Sequence, residues 1–209
     1  MLSPETILTF LAASILLALA PGPDNLFVMT QSALYGRAAG LTVLAGLCTG
    51  LVVHTVAVAL GVAVIFQTSA LAFTAVKICG AAYLLVLAWQ ALRTRQGDPA
   101  VAADGPGVSG RRLYLRGVLM NLSNPKVSIF FLAFLPQFAE PARGPVMVQL
   151  LLLGGLFIVA TVLVFGGIAL LAGRLGEALQ RSPRLRQLLG KAAGMIFLGL
   201  AVKLAVAER

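Results

Sequence analysis

Charge is scarce in this sequence, and acidic charge is the scarcest. Only 11% of the 209 residues are charged, with 7 Asp or Glu in total, whereas 59% are apolar. The mean hydropathy is +0.97. Soluble domains carry about 25% charged residues, so a soluble chain of this length could not cover its surface with so few. This composition excludes an ordinary globular enzyme and a disordered chain, and we expect lipid to surround most of the protein.

Residues that build catalytic and metal centres are also rare. A single histidine, His54, and two distant cysteines, Cys48 and Cys79, cannot form a usual zinc site or a disulfide framework. The sequence has no P-loop, no His-Glu-x-x-His, no Gly-x-Ser-x-Gly and no Cys-x-x-Cys. We therefore expect no enzymatic activity, no cofactor and no bound metal. Because the chain has no nucleotide-binding motif, any transport that it performs should use an ion gradient as its energy source and not ATP.

Long apolar runs fill most of the chain. About 20 apolar residues span a bilayer as a helix. Six stretches reach that length: Ile7–Leu34, Leu41–Phe66, Leu71–Leu92, Gly117–Phe138, Val146–Leu171 and Leu188–Ala207. The first stretch is preceded by Glu5 and by no Lys or Arg, so we interpret it as a retained helix and not as a cleaved signal.

The polar stretch Arg93–Arg116 is rich in Gly, Asp and Arg, which predicts a flexible linker. The predicted division of the chain is therefore a first three-helix unit over residues 1–92, a cytoplasmic linker over 93–116 and a second three-helix unit over 117–209.

Basic residues give the chain a net charge of +9 and concentrate on one side of the predicted helices. The richer set of alternate loops holds ten of them: Arg37, Arg93, Arg95, Arg111, Arg112, Arg116, Arg174, Arg181, Arg184 and Arg186. The opposite side holds Arg143 and Arg209. The positive-inside rule places the richer side in the cytoplasm and both termini in the periplasm. The excess charge is thus an orientation signal, and we expect no nucleic-acid partner.

An internal repeat relates the two halves. The pattern Lys77-x-x-Gly80-x-x-Tyr83-Leu84 recurs as Lys191-x-x-Gly194-x-x-Phe197-Leu198. The first and fourth stretches are both broken by proline beside polar side chains. Because each half has three helices, the second half must enter the membrane from the opposite side. The sequence predicts an all-α membrane protein of six transmembrane helices, arranged as a 3+3 inverted repeat with helices 1 and 4 broken.

The two broken helices carry the candidate substrate site. A proline within the membrane frees carbonyl groups, which must then face protein or a water-filled cavity. The candidate residues are Pro21, Gly22, Pro23, Asp24 and Asn25 in the first half, with Asn121, Asn124, Pro125 and Lys126 in the second. Gln31 and Tyr83 add polar lining, and we include Tyr83 among the substrate-binding candidates.

Asp24 and Lys126 each follow a proline at the start of a half-helix. The helix dipole favours the carboxylate of Asp24, which would bind a substrate ammonium group or a coupling proton. The dipole disfavours the ammonium of Lys126 unless an anion is shared. That anion is either a substrate carboxylate or Asp24 itself in a salt bridge, and the sequence leaves both open.

His54 follows Gly46 and Gly50 at four-residue steps, so the three share one helix face on which another helix can approach closely. The histidine is either a packed, hydrogen-bonded group or a second proton-coupling residue beside Asp24. The glycine pairs Gly46/Gly50, Gly154/Gly155 and Gly190/Gly194 pack either within the bundle or between the subunits of a homodimer.

The chain resembles the lysine exporter superfamily, in its homoserine/threonine efflux branch of amino-acid exporters. The matching segments run from end to end: Ala20–Asn25, Gly36–Gly40, Gly46–Gly50, Gly80–Trp89, Gly117–Lys126 and Phe131–Phe138. The resemblance implies a bacterial inner-membrane protein of six spans that exports amino acids or close derivatives, driven by protons. It places functional weight on Pro21–Asn25 and Asn124–Lys126. Since Lys126 and Lys77 outnumber Asp24, we expect a small neutral substrate.

Two alternatives compete with this hypothesis. An inorganic-ion exporter of the same superfamily would need more carboxylates within the membrane than Asp24 alone. A membrane thiol–disulfide redox protein would need a reactive pair, and Cys48 and Cys79 do not occupy matching places in the two halves.

Overall fold

The computed structural model describes residues 2–20, 22–68 and 109–181, with scattered positions between 74 and 92 and between 188 and 202. Within these ranges the chain is helical and contains no strand. The helices are α1 (Pro4–Leu19), α2 (Pro23–Tyr35), α3 (Arg37–Thr68), α4 (Gly110–Ser123), α5 (Pro125–Ile129) and α6 (Val146–Arg181). A π-helical turn (Phe130–Phe134) and 3₁₀ turns (Leu135–Phe138 and Pro141–Arg143) lie between α5 and α6.

Two helices are long and apolar enough to cross a membrane without a break. The qualifying segments are Arg37–Gly61 in α3 and Val146–Ala172 in α6, with mean hydropathies of 2.2 and 2.6. Two further spans result if each bent helix pair crosses once. The described residues therefore supply two to four of the six predicted spans. Most of the stretches Leu71–Leu92 and Leu188–Ala207, with the repeat residues Lys77, Gly80, Tyr83 and Phe197, lie outside the described residues.

Both predicted helix breaks are present. The segments α1 and α2 are bent by 62°, and α4 is bent by 51° from the segment Pro125–Phe138. Each second segment starts with a proline at its first turn, where the missing N–H costs nothing. The prolines thus end one helix and start the next, as the sequence predicted.

Helix α4 begins earlier than the sequence predicted. It starts at Gly110, whereas the linker was expected to continue to Arg116 and the fourth helix to start at Gly117. Ser109 caps the helix, because its side chain accepts a hydrogen bond from the backbone N–H of Arg112. The arginines that suggested a linker are compatible with a helix, since long basic side chains can reach the interface.

Glycine sets the close approach of the helices. A Cβ on Gly46 would lie 2.1 Å from the carbonyl oxygen of Tyr114, and one on Gly117 would lie 2.4 Å from that of Val43. These contacts bring α3 and α4 together backbone to backbone. Gly154 of α6 similarly fits against the side chain of Thr55 on α3, at 2.2 Å from a would-be Cβ. For Gly46 and Gly154, the sequence left open packing within the bundle or between subunits, and these contacts fit packing within the bundle.

The glycine Gly194, in the second half of the repeat, also packs within the chain. A Cβ there would lie 2.5 Å from the side chain of Leu92. Its partner in the predicted pair, Gly190, lies outside the described residues. Gly155 differs, because a Cβ on it would meet nothing within 4 Å.

Two apolar clusters fill the bundle. The first is built around phenylalanines, and we call it the phenylalanine cluster: Phe10, Phe130, Phe131, Phe134, Phe138 and Phe157, with neighbouring aliphatic residues. Its rings contact one another at centroid distances of 4.9 to 6.2 Å. The second, which we call the Phe27 cluster, joins Phe27 and Val28 of α2 to Val43, Leu44, Leu47, Leu113 and Phe165. The candidate site lies where the two clusters meet.

Candidate functional site

The first half of the site is the start of α2. Gly22 is the N-cap residue, with an extended backbone, and Pro23 occupies the first turn. Asp24 and Asn25 follow and are 5% and 8% exposed, so the helix start carries a carboxylate and an amide into the bundle interior. Pro23 itself is exposed. Pro21 lies outside the described residues.

The second half of the site is the junction of α4 and α5. Asn124 is the N-cap residue of α5 and is 4% exposed. Its Oδ1 accepts a hydrogen bond from the backbone N–H of Lys126 at 3.0 Å. This bond satisfies one of the free amides at the helix start. Pro125 is exposed, and Asn121 is buried one turn before the break.

The two breaks hold each other through crossed hydrogen bonds. Asn124 donates from Nδ2 to Oδ2 of Asp24 at 2.8 Å. Lys126 donates from Nζ to the carbonyl oxygens of Leu17 and Ala20, at 3.1 and 3.0 Å. The acid of the first break thus contacts the cap of the second, and the base of the second break contacts the end of α1.

Lys126 binds backbone carbonyl oxygens, a partner that the sequence did not indicate. The two expectations were a substrate carboxylate or Asp24, and in the described part of the chain no hydrogen bond or ion pair joins Lys126 to Asp24. The last carbonyls of a helix carry a partial negative charge and have no partner within the helix. Lys126 caps those of α1, which stabilises an ammonium group inside the bundle.

Asn25 completes the closure of α1. Its Nδ2 donates to the carbonyl oxygen of Ala18 at 2.6 Å. Gly22 lies beside Lys126, because a Cβ on Gly22 would be 3.4 Å from Nζ. The carbonyls freed by the break are therefore bound by two side chains of the candidate set.

A small cavity lies at the breaks. Its volume is about 20 Å³, and its polar lining is Asp24, Asn121, Lys126 and Thr161. The apolar lining comes from both clusters, including Leu17, Leu51 and Phe157 from the first and Ala18, Leu47 and Phe165 from the second. This volume is enough for water and too small for an amino acid. The site therefore has no room for an amino acid in this arrangement, which we call the closed state.

Several buried polar atoms at the breaks and further along α2 have no hydrogen-bond partner among the described residues. They are Oδ1 of Asp24, Oδ1 of Asn25 and Oδ1 of Asn121, together with both amide atoms of Gln31 and the hydroxyl of Ser32 on α2. A buried polar group without a partner is costly, typically about 1–3 kcal/mol. Two of these atoms, Oδ1 of Asp24 and Oδ1 of Asn121, belong to residues that line the cavity, which indicates a site built for a polar ligand or water.

His54 lies next to the break on the α3 face that bears Gly50. Its Nε2 is 3.4 Å from the carbonyl oxygen of Asn121, and its ring centroid is 5.7 Å from that of Phe131. The histidine is half-buried. This position fits the alternative of a packed, hydrogen-bonded histidine. It also places His54 in contact with Asn121, which lines the cavity.

Three features of the site had no signal in the sequence. Carbonyl acceptors such as those of Leu17 and Ala20 exist at every residue, and Thr161 lies in an otherwise apolar stretch of α6. Arg116 was assigned to the linker as an orientation charge. It instead lies half-buried in α4, with its guanidinium carbon 4.5 Å from the ring centroid of Phe27.

Apolar helices with charged groups buried at two bends are typical of membrane transporters, in which broken helices form the substrate site. The chain belongs to the LysE type translocator family, which matches residues 15–208.

Relatives of similar length accompany this family match. The chain is 37% identical over 199 residues to the homoserine/homoserine lactone efflux protein of Salmonella typhimurium, which covers 95% of each chain. It is 35% identical over 201 residues to an uncharacterized membrane protein of Vibrio cholerae, at 96% and 97% coverage. It is 25% identical over 200 residues to the leucine efflux protein of Salmonella choleraesuis, at 96% and 94% coverage. No solved structure matches the chain.

Proposed function

We propose that this protein exports small neutral amino acids, or their close derivatives, across the bacterial inner membrane, and that protons drive the export. The observation that carries the proposal is the crossed pair of contacts at the two breaks, in which one buried acid and one half-buried base face a common cavity. Two relatives named for the efflux of homoserine, its lactone and leucine support the class of substrate.

The charges at the breaks match an amino acid. A substrate ammonium group would replace Asn124 at the carboxylate of Asp24, and a substrate carboxylate would draw the ammonium of Lys126 away from Leu17 and Ala20. One acid and one base give the site no net charge, which favours a zwitterion over a basic amino acid. Gly22, Asn25 and Asn121 would line the bound substrate, with Pro23 and Pro125 setting the helix starts.

Substrate binding would also release the closed state. The crossed hydrogen bonds are what joins the two halves at the breaks, and a substrate that takes over both charged groups removes both links. The halves can then move against each other as rigid units. The phenylalanine cluster closes the cavity on one side, and the Phe27 cluster closes it on the other. During transport the two sides would open one after the other.

Proton coupling is assigned to Asp24, with His54 as a second candidate. A protonated Asp24 no longer binds an ammonium group, so proton and substrate would compete for one carboxylate on the periplasmic side. That competition exchanges an outgoing amino acid for an incoming proton. Tyr83, whose position lies outside the described residues, remains a proposed lining residue.

We further propose the 3+3 inverted arrangement, with both termini in the periplasm and a homodimer contact around Gly155. The matching bends of the two halves support the repeat, the ten basic residues on one side support the orientation, and the open space at Gly155 supports the contact. This orientation places the phenylalanine cluster toward the periplasm and the Phe27 cluster toward the cytoplasm.

An efflux assay tests the proposal. Cells with and without the protein are loaded with single amino acids by means of dipeptides, and appearance in the medium is followed. We expect faster efflux of homoserine, leucine or another small neutral amino acid, and loss of that efflux when a protonophore collapses the gradient. Unchanged efflux of every amino acid, with faster efflux of an inorganic ion, would support the ion exporter instead.

A further inference from the structure

The cytoplasmic half of the bundle contains a second group of polar side chains that the site at the breaks does not use. Gln31 on α2 is 0% exposed, and within the described part of the chain neither its Nε2 nor its Oε1 has a hydrogen-bond partner. Arg116 on α4 is half-buried, and its guanidinium lies on the ring of Phe27 at 4.5 Å from the centroid.

Gln31 lies on a buried face of α2 that leads back to the break. Asp24, Phe27 and Gln31 are spaced three and four residues apart, so they share a face of the helix, and all three are buried. With a rise of 1.5 Å per residue, Gln31 lies about 10 Å from Asp24 along the axis. Arg116 reaches this stripe at Phe27, between the amide and the carboxylate. The stripe therefore runs from the cytoplasmic end of α2 to the cavity.

We propose that Arg116 and Gln31 form a cytoplasm-side recognition site for the carboxylate of the exported amino acid. Stacking on an aromatic ring uses the face of a guanidinium, whereas its N–H edge is the part that binds a carboxylate in a bidentate way. Gln31 adds an N–H donor for the same carboxylate and a carbonyl acceptor for the ammonium group. This inference rests on the proposed function, since it assumes an amino-acid substrate.

The site explains an observation that packing alone does not. A fully buried glutamine whose amide atoms have no partner among the described residues destabilises the fold, so its position indicates a ligand that uses them. Arg116 lies half-buried on the ring of Phe27, and charged groups within a membrane bundle mark substrate paths. Substrate would bind here first and then pass along the stripe to Asp24.

Homoserine and homoserine lactone together test recognition of the substrate carboxylate, and the Arg116 variant assigns that recognition to this site. Both carry the ammonium group, and only homoserine carries a free carboxylate. Inside-out vesicles present the cytoplasmic face to the medium, so uptake into them measures export. Initial uptake of each labelled compound is measured across concentrations, with the passive uptake of vesicles lacking the protein subtracted.

For Arg116→Gln we expect the half-saturating concentration to rise about tenfold or more for homoserine and to change less than about twofold for the lactone. Arg112→Gln is the matched control, because it removes the same charge from an exposed position of the same helix. It should leave both values unchanged. Equal changes for the two compounds in Arg116→Gln, or no change in either, would overturn the carboxylate site.

Gln31→Leu tests the role of Gln31, because substrate binding and a purely structural role predict different changes in the unfolding temperature and in transport. Removing an unpartnered buried amide should keep or raise the thermal unfolding temperature in detergent, while the half-saturating concentration for homoserine rises. A lower unfolding temperature with unchanged transport would overturn the role of Gln31. Wild-type vesicles that take up neither compound, nor leucine, would overturn the proposed function and this site together, whereas the variant results bear on the site alone.

Discussion

Asn124 donates a hydrogen bond to the carboxylate of Asp24 across 100 residues of sequence, and it does so while capping the half-helix that bears Lys126. One amide side chain therefore connects the helix start of the first half to that of the second. Because Lys126 in turn caps the end of α1, the breaks depend on each other for their hydrogen bonds. We infer that this reciprocal capping holds the site in its closed state, and we call the set of hydrogen bonds the latch.

The link between Asp24 and Asn124 is measurable as a coupling energy. In a double-mutant cycle of Asp24→Asn and Asn124→Ala, we expect a coupling of about 1.5–3 kcal/mol in the free energy of unfolding, because the acceptor is charged. Unfolding is followed by circular dichroism in detergent. Ser123→Ala replaces Asn124→Ala in the control cycle, since Ser123 bonds only within its own helix, to the carbonyl oxygens of Leu119 and Met120. The control coupling should stay below about 0.5 kcal/mol, and an equally small value for Asn124 would contradict the latch.

We expect Lys126 to stabilise the fold through its hydrogen bonds and to support transport through its charge. Lys126→Met removes both and should lower the free energy of unfolding by about 1–3 kcal/mol, because the carbonyls of Leu17 and Ala20 lose their partner. Lys126→Gln keeps an N–H donor and should recover part of that loss, while neither variant transports. Lys191→Met serves as the control, because Lys191 is exposed, and should change stability by less than about 0.5 kcal/mol. Full transport in Lys126→Gln would show that the charge is not needed.

The contact between α3 and α4 requires glycine. Gly117→Ala would place a Cβ 2.4 Å from the carbonyl oxygen of Val43, so the helices must separate, and we expect a loss of about 1–3 kcal/mol. Gly167→Ala is the matched control on α6, because a Cβ there meets no described residue within 4 Å, and it should be neutral or stabilise by up to about 1 kcal/mol. Thermal unfolding of the purified variants checks both values. Equal stability of Gly117→Ala and the wild type would contradict the close approach.

The sequence predicted the helix breaks because proline acts locally. A proline cannot continue the preceding helix and is suited to begin the next one, so Pro23 and Pro125 indicated both bends without any tertiary information. The shared face of Gly46 and Gly50 was equally readable from its four-residue spacing. Asp24, Asn25, Asn121 and Asn124 were identified as interior groups because polar side chains in apolar helices avoid lipid.

The remaining features depend on tertiary contacts. The acceptors of Lys126 are backbone carbonyls, which every residue has, so only the folded chain shows which ones lie within reach. Arg116 was placed in the linker because an arginine of a polar loop and one that lies on a buried ring are alike in sequence, whereas the structure places it in α4. Its role as an orientation charge stays a prediction. The early start of α4 depends on the cap by Ser109, a short signal within a polar stretch. The third and sixth predicted helices remain predictions.

The role of Asp24 is the central claim, and transport by purified protein in liposomes tests it most directly. Wild-type, Asp24→Asn and Glu5→Gln proteins are reconstituted at equal density, and uptake of labelled homoserine and leucine is measured with and without a proton gradient. Glu5 is an exposed acid at the start of α1, so Glu5→Gln controls for the loss of one negative charge. We predict gradient-dependent transport by the wild type and by Glu5→Gln, and none above protein-free liposomes by Asp24→Asn, although it elutes as folded protein. Full, gradient-dependent transport by Asp24→Asn would contradict the assignment of Asp24 to substrate and proton.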